Sequence, residues 1–176
     1  MATLTATAAG KVLSAGIDIA YKVMASNLGK SESRRLVVYY WGMVLFELRQ
    51  NIVEAQEMTR PQNDHSYGTF TLKAWDTLYE VLSKLAPMPR TFSMIQLVND
   101  QFREISMLLR TAVDAPDGAG GIVQWNSARL QAKEILPRAL QLFTDIRSLV
   151  ESLGREAFDA NDWQTQESEI LPDPVI

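Results

Sequence analysis

At 176 residues, with 47% hydrophobic and 22% charged side chains, the chain has the size and balance of one globular domain, not of a disordered or membrane-filling protein. It contains no cysteine, which excludes a disulfide framework, a thiolate metal site and a cysteine nucleophile, and fits a reducing, cytoplasmic setting. The formal charge of −4 argues against nucleic acid as a partner, because phosphate contacts need clustered Lys and Arg; the deficit sits at one end, where residues 155–176 hold six acids and one base against 15 acids and 16 bases in residues 1–154.

Residues 4–28 read as a helix. Lys11, Asp18 and Lys22 stand at separations that return to nearly the same helical angle. Most of the circumference, with Val12, Leu13, Ile17, Ile19, Ala20, Val23 and Met24, is therefore apolar. The three charges interrupt any run long enough for a bilayer span, and the basic-then-apolar layout of a secretory signal is missing, so neither is predicted. Asn27 and Gly29 supply a stop.

A second helix opens at Ser31 or Ser33 and runs to Pro61, whose missing N–H and ring clash end it. Its first half carries the uninterrupted apolar run Leu36 to Phe46, LVVYYWGMVLF. Periodicity alone cannot separate such a run from a buried strand; helix is preferred because no turn signal divides it from ELRQNIVEAQEM. There Leu48, Ile52 and Ala55 continue an apolar face, and Glu47, Asn51 and Glu54 line an adjacent one. Residues 61–70 are turn formers.

A third helix follows, capped by Thr69 or Thr71, with Trp75, Leu78, Tyr79, Leu82 and Leu85 at helical spacing, and closed by Pro87 and Pro89. Thr91 caps a fourth, with Ile95, Val98, Phe102, Ile105 and Leu109 as its buried stripe, and the segment DAPDGAGG over 114–121 ends it. The last long helix spans about 122–153 and turns Trp125, Leu136, Leu140, Phe143, Ile146, Val150 and Leu153 inward. Pro137 predicts a bend near 133–137, and Gly154 a terminus. The expected fold is all-α: an antiparallel up-and-down bundle of four to five helices over residues 1–154, followed by an acidic tail over 155–176.

Few polar constellations suggest chemistry. His65 is the only histidine, and Arg60-Pro-Gln-Asn-Asp-His65 resembles the R-x4-H spacing of HEPN ribonucleases, which are helical and dimeric. That resemblance implies a catalytic pair, Arg60 and His65, acting on RNA, and it is the alternative to a non-enzymatic reading, under which His65 is a solvated loop residue. A di-iron bundle site needs Glu-x-x-His pairs, which do not occur; no metal or cofactor is expected. GAGG at 118–121 lacks the Gly-Lys-Ser/Thr ending of a phosphate loop.

Glu47-Leu48-Arg49-Gln50-Asn51, followed after a loop by Leu72-Lys73-Ala74-Trp75, resembles a loosely defined set of small prokaryotic and viral helical proteins of unknown function. These share a Glu-Leu-x-x-Asn helix and an early tryptophan in the next; Asn99 and Phe102 fall in the place of a further aromatic and asparagine pair. The resemblance implies a helical scaffold and no activity. Physically, an amide at Asn51 within an apolar helix must find partners. It is expected to fix register by bonding the Trp75 indole or a loop carbonyl.

The tail interleaves acids with apolar residues. Trp163, Glu167, Glu169, Ile170 and Leu171 are its candidate contacts with another protein; the alternative is that the tail packs on its own bundle. The reading that follows is a non-catalytic module binding another protein, of adaptor, immunity or counter-defence type. Self-association into a homodimer through the first or second helix is also expected, because both carry more apolar surface than one bundle covers.

Overall fold

The computed structural model describes residues 30–61, 70–83, 90–115 and 118–175. Every regular element among them is an α-helix: α1 (Lys30–Thr59), α2 (Lys73–Ser83), α3 (Arg90–Asp114), α4 (Gly118–Ala157) and α5 (Ala160–Ile170). The helix expected over 4–28, His65 and the closing prolines at 87 and 89 lie outside the described residues.

The ambiguous apolar run belongs to α1. Because it is apolar at every position it has no internal face, and the neighbours decide which side is covered. Val37, Val38, Trp41, Val44 and Leu45 point inward, and Leu48, Ile52, Ala55 and Met58 prolong the same side. The helix stops at Thr59, two residues short of Pro61. Its last carbonyls do not go unpaired: the Arg129 guanidinium donates to the backbone oxygens of Thr59 (3.3 Å) and Arg60 (3.1 Å), as cations do at a helix C-terminus.

α4 packs along both α1 and α3. Its innermost line is Ala128, Ala132, Ile135, Ala139, Phe143, Ile146 and Val150, a spacing of three and four that keeps one face inward. Leu136, Leu140 and Leu153, expected at the centre, flank this line half-buried. The alanines take the centre because a small side chain lets two helix axes approach closely, and a pattern read by bulk passes over them.

Two backbone expectations, both at glycines, are corrected. GAGG at 118–121 opens α4 rather than forming a connector. A Cβ on Gly121 would stand 2.8 Å from the Ala112 carbonyl oxygen, so the glycine permits the tight passage from α3 to α4. α4 is not split at Pro137, which is on the exposed side. It also continues past Gly154 to Ala157. Gly154 is not a terminator but a buried notch: a Cβ there would overlap the six-membered ring of Trp163.

Under α1 lies an aromatic trio. The Phe92 ring stacks on both Trp41 (6.0 Å, 27°) and Trp75 (5.9 Å, 26°), and the two indoles meet at 6.4 Å. This joins α1, α2 and the start of α3 through one cluster.

Candidate functional site

The start of α2 is held from α1, whose side chains bond the backbone of residues 71–75. Asn51, fully buried, donates from Nδ2 to the Thr71 carbonyl (2.9 Å) and accepts on Oδ1 from the Thr71 N–H (2.9 Å). The amide thereby reads both polar groups of one backbone residue. One turn earlier, Glu47 Oε2 accepts from the N–H groups of Ala74 (2.8 Å) and Trp75 (3.4 Å). Of the two caps expected, Thr69 lies outside the described residues and Thr71 engages Asn51 through its backbone; the Glu47 carboxylate on the neighbouring helix satisfies orphan donors of the first turn and favours the dipole.

Of the two partners expected for Asn51, the structure gives it the loop carbonyl. The Trp75 indole N–H donates to Gln96 Oε1 (2.8 Å) on α3. A polar chain continues outward from there: Gln96 Nε2 to Asp100 (2.8 Å), and Arg103 to both Asp100 (2.8 Å) and Asp76 (2.8 Å). Gln96 and Asp76 carried no sequence signal, because polar residues at an exposed helical angle look like solvated surface until the facing helix is known.

The C-terminal residues dock alongside α1 in the same direction. Arg35 pairs with Asp162 (3.3 Å), the Tyr39 hydroxyl donates to Gln166 Oε1 (2.9 Å), and Arg49 Nε donates to the Asp173 carbonyl (2.9 Å). Asp159 caps α5 by accepting from the Asp162 N–H (2.9 Å). Trp163, Ile170 and Leu171 turn into the chain's own core. Trp163 fills the Gly154 notch, and Ile170 lies against Gly42, where a Cβ would stand 2.9 Å from the Ile170 carbonyl oxygen. Of the candidate contact residues in the tail, Glu169 is exposed and Glu167 is half-buried, its backbone carbonyl accepting from the Leu171 N–H (2.7 Å) at the end of α5.

The described residues leave the outer side of α1 exposed. Leu36, Tyr39, Tyr40, Met43 and Phe46 are all exposed, Met43 most of all at 56%. At about 100° per residue they fall within an arc of roughly 120°, bordered on one side by α2 and on the other by α5. Between α1 and α2 this face sinks into an open groove of about 470 Å³, lined by Tyr40, Met43, Phe46, Glu47, Lys73, Ala74 and Thr77. Its lining is mostly apolar, with Glu47, Lys73 and Thr77 as the polar members.

Elsewhere, Arg60 is exposed and paired with Glu57 (3.0 Å). The structure does not bring it together with a second reactive group among the described residues, and its intended partner His65 lies outside them. No group of three or more acidic or histidine side chains able to hold a metal occurs among the described residues. Among them, no helix is long and apolar enough to cross a membrane.

Comparison of the chain with protein-family models, with curated proteins and with solved structures finds no match, so its function has to be read from its own side chains.

Proposed function

We propose that the protein is a non-catalytic interaction module, of adaptor, immunity or counter-defence type, that docks another protein on the outer face of α1 and in the groove between α1 and α2. The observation that carries this reading is the row Leu36, Tyr39, Tyr40, Met43 and Phe46, exposed together on one helix. Scattered apolar residues are normal on a surface, but a contiguous patch of large ones marks an interaction site. Tyr, Phe and Met are also the residue types enriched where proteins meet.

The scaffold presenting this face is read as an antiparallel up-and-down bundle. Two pairings support that: Arg35 near the start of α1 bonds the Ala157 carbonyl at the end of α4 (3.4 Å), whereas Arg129 in the first half of α4 reaches the end of α1. The reading places the protein in a reducing compartment such as the cytoplasm, supported by the absence of cysteine.

The test uses matched baits. Wild-type protein, Met43→Lys and a control, Met107→Lys, which alters a 64% exposed methionine on α3, are immobilised and exposed to native lysate. A partner retained by wild type and Met107→Lys but lost from Met43→Lys supports docking at this face. Identical retention on all three baits refutes it.

A further inference from the structure

We draw no further inference here: the strongest candidate, the exposed row Leu36, Tyr39, Tyr40, Met43 and Phe46 on the outer face of α1 with the groove it shares with α2, belongs to the site already described, and nothing in the structure shows what covers it.

Discussion

Two apolar surfaces of comparable character lie side by side along α1, and they have opposite fates. On one flank, Trp163 and Ile170 of α5 are 6% and 2% exposed; on the outer face, Met43 and Phe46 are 56% and 43% exposed. Hydrophobicity does not separate them. What does is whether the opposing backbone offers a receptacle. Gly154 on α4 and Gly42 on α1 each leave space where a side chain would stand, and Trp163 and Ile170 occupy those places. Gly42 sits between a fully buried Trp41 and a largely exposed Met43, so within three consecutive residues the helix passes from core, to notch, to open surface. Such an arrangement holds the C-terminal residues on the bundle and leaves the outer face exposed.

The most severe way to disturb this division is to fill the larger notch. Gly154→Ala would place a methyl group inside the Trp163 ring, and because the glycine is on the backbone of α4 the indole has to leave. At an exposed helical position the same substitution would stabilise by about 1 kcal/mol; here it is expected to destabilise by about 3 kcal/mol, from lost aromatic burial and overpacking. Urea titration followed by tryptophan fluorescence measures both the cost and the red shift of an indole moved into water. Trp163→Ala should cost a similar amount, and Trp163→Phe much less, since the indole N–H has no acceptor among the described residues. A stabilised Gly154→Ala protein would mean that α5 is not seated on α4.

A smaller effect is expected on the other border of the face. Asn51→Leu removes both partners of Thr71, leaving a donor and an acceptor of the backbone unpaired in a part-buried position. The expected loss is about 2 kcal/mol, with helical content retained and the aromatic cluster around Trp75 loosened. Unchanged urea stability together with sharp methyl resonances would show that the pair contributes nothing.

How much of this could be read from the sequence follows from what each residue needs. Ile95, Val98, Phe102, Ile105 and Leu109 were legible as one buried stripe and are all buried, because their period depends on α3 alone. The apolar run of α1 was legible as helix through its continuity with ELRQNIVEAQEM, but not which side of it would be covered, since that depends on α2 and α5. Asn51 announced itself as a polar residue in an apolar setting; its partner was one of two expected for it. The glycines misled. Gly118 to Gly121 and Gly154 have the local chemistry of connectors and stops, and only the approach of Ala112 and Trp163 gives them a place inside α4. In the tail, Trp163, Ile170 and Leu171 were read as contacts with another protein, with packing on the chain's own bundle as the alternative, and the structure turns them into its own core; the exposed row on α1 emerged only once the core had taken its share of LVVYYWGMVLF.

The mildest and most local expectation concerns Glu47, which belongs to both the α2 clamp and the groove. Its Oε2 atom accepts from two N–H groups at the start of α2, and its side chain lines the groove beside Met43. Glu47→Ala is expected to cost about 1 kcal/mol, the usual worth of a lost N-terminal cap, while Glu47→Gln, which keeps an acceptor oxygen but no charge, should cost less than half of that. Amide hydrogen exchange distinguishes this from a general loosening: the Ala74 and Trp75 amides should exchange faster in Glu47→Ala while those of Phe102 and Ile105 are unchanged. If all four accelerate together, Glu47 supports the whole core and not the end of α2. If none does, the first turn of α2 is held by the Asn51–Thr71 pair and the Trp75–Gln96 bond alone, and the wall of the groove on that side is independent of Glu47.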